Sequence, residues 1–293
     1  MMKTAPAVKM ASTGYRPSVG QRWYTTLGIY LLFAVISALV LFPVLISVFT
    51  AFKTGPELMK SSPLALPESW QFNNLKTAFQ TGNMLVGFRT TAILIVVSVF
   101  MNTILGSMTS YILNRFSFWA KKIIMGMFLV AMVIPFYTTE VSRFQIIKSL
   151  GLYDTIFAPL LIYAGTDLLQ IFIFLQFIEK ISSQLDESAM IDGASYVTIY
   201  RKIIFPLLLP ASATLAIIKA VDIMNDMYIP YLYMPSKELH TLSTALMTFV
   251  GQRSSDFGQL SAAIVIVLIP TILIYLLMQK YIFAGIAEGA IKG

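Results

Sequence analysis

The sequence predicts an all-α polytopic membrane protein with six transmembrane helices. Of its 293 residues, 57% are hydrophobic and only 12% are charged, whereas a soluble domain carries roughly 25% charged residues. The apolar residues gather into separate runs, each close to the ~20 residues that a helix needs to cross a bilayer. Because hydrocarbon offers no water to pair with backbone amides, such runs must be helical.

Six apolar runs set the domain organisation. They are, with approximate bounds, Thr26–Thr50, Thr90–Ile112, Ile123–Val141, Ile156–Ile178, Leu207–Tyr228 and Leu260–Ile282. The third run contains Pro135 near its end, and the fourth is interrupted by Gly165 and Asp167. The first run is longer than the ~7–15 apolar residues of a signal peptide, so we interpret it as a retained span. We therefore assign residues 1–23 to an N-terminal tail and residues 24–293 to one transmembrane domain.

Positive charge predicts the orientation of these spans. The net charge is +7, and in a multi-pass protein Lys and Arg concentrate in cytoplasmic connections. Here they are more frequent in the two tails, the second-to-third connection and the fourth-to-fifth connection than in the opposite loops. Both termini are expected in the cytoplasm, and the basic balance is explained by the lipid bilayer rather than by nucleic acid.

The connection between the fourth and fifth spans carries the most information. We call residues 179–206 the coupling segment. Ser183 followed by Asp186 is typical of a helix N-cap with an acid three residues on. Gly193 can supply the left-handed conformation that ends a helix, and Ser195 can cap the next one. The segment is therefore predicted to fold as a short helix, a glycine turn and a second helix that runs into the fifth span.

The first of these short helices has the composition of a docking element. Leu185, Ala189 and Met190 are expected to share one face. The flanking acids are Asp186, Glu187 and Asp192. A small apolar knob of this kind suits a groove on a partner protein. The alternative is an amphipathic connector lying on the headgroups, which the acids disfavour because the cytoplasmic leaflet is itself anionic.

The coupling segment resembles the cytoplasmic motif of binding-protein-dependent ABC importer permeases. That motif reads E-A-A, three residues, G, nine residues, I, any residue, L-P. The matching positions are Glu187, Ala189, Gly193, Ile203 and Pro206, while Ser188 stands for the second alanine and Phe205 for the leucine. The run Ile191–Ala194 looks like the carbohydrate branch of this family, of the maltose type.

Three further stretches are similar to the same branch. They are Ser110–Phe116 after the second span, Leu150–Thr155 before the fourth span and the C-terminal tail Gly285–Gly293. With them, the resemblance covers nearly the whole chain from about Trp23.

The resemblance implies an all-α transmembrane subunit of the bacterial inner membrane that imports a sugar or oligosaccharide. It further implies a second homologous permease chain, two ATPase subunits and an extracytoplasmic solute-binding protein as partners. The ATPase subunits would receive the coupling helix between spans four and five. The residues assigned to this contact are Asp186, Glu187, Ser188, Ala189, Met190, Asp192, Gly193 and Ala194.

The chain's own residues agree with a transport subunit rather than an enzyme. It contains no cysteine and one histidine, and it has no Walker A phosphate loop and no zinc-ligand spacing. We expect no catalytic residue, no metal site and no cofactor on this chain, with ATP and Mg bound by the partner ATPase subunits.

The fifth span carries a polar stripe that predicts a substrate path. Ionisable residues inside a membrane are functional candidates by default. Lys219, Asp222, Asn225 and Asp226 offer donors and acceptors to a hydroxyl-rich ligand. At ~1.5 Å per residue, Lys219 lies ~20 Å from Pro206, beyond the bilayer midplane. The alternative is that Lys219 and Asp222 neutralise each other against the partner permease. An unpaired Lys219 would instead favour an acidic saccharide.

Three other functions remain open from the sequence. An ABC importer permease for another small solute would share every feature above except the carbohydrate-type motifs. A secondary transporter working alone is expected to show inverted repeats or broken helices, and a membrane enzyme would need a clustered catalytic set, neither of which is evident in the sequence.

Overall fold

A computed structural model describes residues 19–165, 168–250 and 257–290. The predicted N-terminal tail up to residue 18, Asp167 and the last three residues of the C-terminal tail lie outside the described residues. The helices are α1 (Val19–Phe52), α2 (Gly55–Lys60), α3 (Asn73–Thr81), α4 (Met84–Arg115), α5 (Lys121–Val133), α6 (Glu140–Ser149), α7 (Phe157–Ala164), α8 (Leu168–Glu179), α9 (Gln184–Ile191), α10 (Tyr196–Ile199), α11 (Phe205–Asn225), α12 (Tyr228–Tyr233), α13 (Leu242–Ala245) and α14 (Phe257–Ala290). No strand occurs in these described ranges, which confirms the all-α class.

Five helical stretches of the described chain are long and apolar enough to cross a membrane. They are Trp23–Phe52, Met84–Arg115, Phe157–Glu179, Tyr196–Asn225 and Phe257–Leu277. Each contains most or all of one predicted span, and two of them, Trp23–Phe52 and Met84–Arg115, extend further in both directions than the sequence indicated. The additional helical residues include Arg115 at the end of α4, which matters for the site below.

The third predicted span is broken. Helix α5 ends at Val133, and the stretch Phe136–Ser149 continues at an angle of 103° to it. The cause is Pro135, which lacks a backbone N–H and forces the preceding Ile134 out of the helical region, to ψ 117°. The prediction of one straight helix from Ile123 to Val141 is therefore wrong.

The interruption of the fourth span is confirmed at Gly165. Helix α7 ends there, and α8 begins at Leu168. The amide Nδ2 of Asn102, a buried residue of α4, donates a hydrogen bond of 2.8 Å to the carbonyl of Gly165. An internal partner of this kind is what a broken helix needs at membrane depth.

The chain divides into two compact units, Met1–Ser47 and Val48–Gly293. The described part of the first unit is α1 up to Ser47. In the second unit α4 is the central helix, since it packs against α7, α8, α11 and α13. One apolar cluster joins Tyr111 of α4 to Phe174 of α8 and Ala189 of α9. A second joins Leu94 of α4 to Tyr163 of α7. These two clusters position the two regions considered next.

Candidate functional site

The turn of the coupling segment is built by backbone hydrogen bonds around Gly193. The N–H of Gly193 donates to the carbonyl of Met190 (3.0 Å), and the N–H of Ala194 donates to that of Ala189 (2.9 Å). Gly193 has φ +80°, and open space surrounds the position a Cβ would take. This pair of bonds is the Schellman ending of a helix. The glycine is therefore required by the backbone conformation alone, and the predicted helix–turn–helix is confirmed.

The two predicted serine caps have different outcomes. Ser195 caps α10, because its Oγ accepts from the N–H of Thr198 at 3.3 Å. Ser183 stands at the N-cap position of α9 but makes no capping hydrogen bond. The Oγ of Ser182 instead accepts from the N–H of Gln184 at 3.3 Å. The predicted cap at Ser183 is therefore wrong, and Asp186 has a different partner.

Asp186 faces the interior of the protein. Its Oδ2 accepts from Nε of Arg115, the last residue of α4, at 2.9 Å. The side chains of Arg115 and Asp186 are 12% and 7% exposed. Nη2 of the same guanidinium donates to the carbonyl of Ile181 at 2.7 Å. Arg115 thus holds the start of α9 and the chain just before it.

The remaining predicted coupling residues lie on other sides of α9. Ala189 packs inward beside Asp186 in the cluster with Tyr111. Leu185 and Met190, which were predicted to share a face with Ala189, are 44% and 40% exposed, whereas Ala189 is 8% exposed. Glu187, Ser188, Asp192 and Gly193 are exposed, and Ala194 is half-buried. Ile191, which the sequence marked only as part of the carbohydrate-type run Ile191–Ala194, is 87% exposed. The outward surface of α9 therefore presents exposed apolar side chains interspersed with Glu187 and Ser188.

At the far end of α11, Asp226 is committed to the fold. Its Oδ1 accepts from the N–H groups of Tyr228 (2.7 Å) and Ile229 (3.2 Å) at the start of α12. Its Oδ2 accepts from the hydroxyl of Tyr163 on α7 at 2.8 Å. Asp226 therefore ends α11, begins α12 and ties both to α7.

Lys219 and Asp222 line a cavity of about 190 Å³. The residues around it are Phe136, Ile162, Tyr163, Lys219, Asp222, Ile223, Asp226 and Ile229. Lys219 is half-buried and Asp222 is exposed. Asn225 does not line this cavity, and its Nδ2 donates to the carbonyl of Val221 at 2.9 Å. The cavity has an aromatic side and several charged or hydroxyl groups, a combination that suits a small polar ligand.

Several residues at these two regions had no marked signal in the sequence. Phe136 follows the break at Pro135, and Tyr163 lies in an apolar helix, so neither position suggested a cavity wall. Arg115 belongs in the sequence to a basic connection and to the stretch Ser110–Phe116, and a basic residue at the end of a buried helix is the signal that could indicate an acidic partner. In the described ranges no group of three or more His, Cys, Asp or Glu residues could hold a metal ion.

The bundle of apolar helices with an exposed, acid-containing helix–turn–helix is consistent with a membrane transport subunit. Comparisons with known proteins define the class of protein further. Residues 102–288 match the family described as "Binding-protein-dependent transport system inner membrane component". The chain belongs to this family and is a multi-pass transmembrane permease subunit of an ABC importer. A subunit of this family works with ATPase subunits and a solute-binding protein.

Two curated relatives and one solved structure resemble the chain over most of its length. The first relative, from Thermoanaerobacterium thermosulfurigenes, is named "Probable starch degradation products transport system permease protein" and is 33% identical over 88% of this chain and 94% of its own. The melibiose/raffinose/stachyose import permease protein of Bacillus subtilis (strain 168) is 29% identical over 90% and 96%. The structure is a bacterial ABC transporter involved in the import of the acidic polysaccharide alginate, with a TM-score of 0.80 at 21% identity over 91% of this chain and 99% of that chain.

Proposed function

We propose that this permease imports a sugar or an oligosaccharide that a solute-binding protein delivers. The support is that the relatives above carry sugars according to their names, and that they match nearly the full chain. We also propose that a second homologous permease completes the translocation path. The 190 Å³ cavity at Lys219 and Asp222 is the part of this chain that we assign to that path, while Asp226 positions its wall.

The observation that carries the mechanism is the outward surface of α9. A short helix that presents Leu185, Met190 and Ile191 to the outside, interspersed with Glu187 and followed by Asp192, has the form of a knob for a partner's groove. We assign that groove to an ATPase subunit. ATP and Mg are then bound and ATP is hydrolysed on the partner chains, and this chain has no catalytic residue. Closure of the ATPase dimer would move α9 and reorient the spans as rigid bodies.

The proposed orientation follows from the same assignment. If α9 meets an ATPase in the cytoplasm, an even number of spans places both termini there too. The tail 1–23 is then cytoplasmic, residues 24–293 form the transmembrane domain, and the bent pair of helices Lys121–Val133 and Phe136–Ser149 counts as one span. A cysteine placed in the tail should be protected from an impermeant thiol reagent in intact cells.

Two glycines of the chain provide a matched test of the coupling assignment. Gly151 ends α6 with the same pair of backbone bonds that Gly193 uses to end α9, at φ +70° against +80°. Proline at either site fixes φ near −65° and removes one of the bonds. We expect Gly193→Pro to insert in the membrane but to lose the co-purifying ATPase subunits, whereas Gly151→Pro should retain them.

Glu187→Lys is the companion variant, because it reverses an exposed charge beside the knob without changing the backbone. It should abolish substrate-stimulated ATP hydrolysis in the reconstituted complex. Normal stimulation in both Gly193→Pro and Glu187→Lys would contradict the coupling assignment. The cargo is tested separately, by measuring which sugars the associated binding protein binds and which of them the complex transports.

A further inference from the structure

Arg115 connects three parts of the chain through one guanidinium. Nε donates to Asp186 in the first turn of α9, Nη2 to the carbonyl of Ile181 before that helix, and Nη1 to Oδ1 of Asn114 at 3.1 Å. Because Arg115 is the last residue of α4, these bonds connect the central helix of the bundle with α9 and the chain just before it. Nothing else in the described chain joins α4 to α9 by an ion pair.

Burial makes this contact different from an ordinary surface ion pair. Exposed pairs contribute little because water and salt screen them. Here the two side chains are only 12% and 7% exposed, and removing one partner of such a pair leaves an unpaired charge in a low-dielectric site. The connection therefore holds the orientation of α9 relative to α4 more strictly than a surface pair would.

Helix α4 is suited to carry a displacement. It runs without a proline from Met84 to Arg115. Tyr111 belongs to the apolar cluster that contains Ala189 of α9, and Leu94 belongs to the cluster around Tyr163, which lines the 190 Å³ cavity. At ~1.5 Å per residue, these two positions are about 25 Å apart. One continuous helix thus connects the region of α9 with the neighbourhood of the cavity.

The covalent route between the same two regions is less regular. From α9 the chain passes a turn at Gly193, the short α10 and a π-helical stretch, Tyr200–Ile204, before α11 begins. Pro206 and Pro210 then lie in the first turns of α11. Prolines and π-helical stretches are sites where helices bend. A force applied to α9 can be absorbed along this route.

We propose that Arg115 is a positioning residue that clamps the coupling helix α9 to α4, so that the two helices move as one body when the ATPase subunits close. The inference rests on the proposed function of α9 as the ATPase contact. Asp186 is then an internal anchor of the coupling helix, and the partner is contacted by the outward residues. The clamp stays closed throughout the transport cycle.

The first test compares two ion pairs of the described chain. Arg115→Gln and Asp186→Asn remove the clamp. Arg143→Gln removes the pair with Glu140, a 2.8 Å contact within α6 whose side chains are 26% and 8% exposed. Each complex is reconstituted in liposomes with its binding protein, and transport per ATP hydrolysed is measured. We expect this ratio to fall roughly fivefold or more in the clamp variants and to stay unchanged in Arg143→Gln. An equal ratio in all three would overturn the proposal.

A second arm keeps the proposal testable if the single variants fail to assemble. The chain contains no cysteine, so Arg115→Cys with Asp186→Cys can be joined by a short bifunctional thiol reagent, with cysteine-free partners. The linked complex should recover the transport ratio of the parent. If linking restores assembly but stops transport, the two helices must separate during the cycle and the clamp is refuted.

The two proposals fail in different ways. If α9 does not contact the ATPase, Gly193→Pro and Glu187→Lys will show normal substrate-stimulated ATP hydrolysis, independently of the result for the Arg115 variants. If only the clamp is wrong, those variants uncouple while Arg115→Gln keeps its transport ratio.

Discussion

The coupling segment and the far end of α11 use their acidic residues in parallel ways. Each region presents several acids in the sequence, and in each region at least one acid is bound into the fold. Asp186 pairs with Arg115 from α4, and Asp226 accepts from Tyr163 of α7 and from two backbone N–H groups. Glu187 and Asp192 in the first region and Asp222 in the second are exposed to solvent.

The difference lies in how far apart in the sequence the parts of each region are. The turn at Gly193 and the cap at Ser195 are made by residues within five positions of each other. The cavity at Lys219 is assembled from α7, α11 and the turn that follows Pro135. Local backbone geometry decides the turn and the cap of the first region, whereas the packing of distant helices decides the cavity of the second and the partner of Asp186.

The largest effect is expected on the outward face of α9. Ile191→Glu places a charge on a side chain that is 87% exposed here and would be buried against the ATPase. Central interface residues typically contribute about 2 kcal/mol or more, so the affinity for ATPase subunits should fall about thirtyfold. Met59→Glu, at a residue that is 89% exposed in α2, is the matched control.

Titration of the purified permease pair with ATPase subunits measures this difference. Both variants should express and insert like the parent, since neither side chain packs within this chain. Equal affinities for the two variants would mean that the outward face of α9 is not the docking surface. The coupling segment could then no longer be distinguished from the far end of α11 by an ATPase contact.

The second-largest effect is expected at Asp226, the acid that is bound into the fold at the far end of α11. Tyr163→Phe removes the hydroxyl that Asp226 Oδ2 accepts at 2.8 Å in a site where the tyrosine is only 6% exposed. Leaving a buried acceptor without its donor costs about 1–3 kcal/mol, so the complex should lose activity at a lower temperature. Tyr231→Phe, at a residue that is 61% exposed, should leave the inactivation temperature unchanged. A similar loss in both would contradict the anchoring role.

The two serines give a smaller and more local contrast. Ser195→Ala removes a real cap and should destabilise α10 by about 1 kcal/mol, seen as faster hydrogen exchange of the amides of α10. Ser183→Ala should change nothing, because its side chain makes no capping bond. A protection loss at Ser183→Ala equal to that at Ser195→Ala would show that the capping geometry differs from that described.

The sequence predicted as much of each region as local rules determine. The apolar runs located the spans, because ~20 apolar residues have few other uses, and Pro135 and Gly165 indicated irregular helices. The inward rotation of Asp186 was not predictable, since a carboxylate three residues after a serine satisfies the capping pattern equally well. Only the packing of Arg115 from a distant helix decides that Asp186 pairs with a guanidinium rather than with the cap at the start of α9. The positions of Tyr163 and Phe136 in the cavity wall were not predictable for the same reason, because they depend on the packing of distant helices.

The smallest effect, and the one that bears on the cargo, concerns the two accessible charges at the cavity. If the bound sugar is acidic, Lys219→Met should lower transport of uronate-containing oligosaccharides severalfold relative to neutral ones, because a partly screened charge contributes about 1 kcal/mol. Asp222→Asn should shift the same ratio in the opposite direction, since it removes a repelling carboxylate.

Competition between a neutral and a uronate-containing oligosaccharide in one vesicle preparation measures the ratio without depending on the amount of protein. Equal effects of Lys219→Met on both substrates would assign Lys219 to the wall of the path rather than to charge selection. The cavity would then resemble the clamp at Arg115, as a place where ionic groups hold helices together.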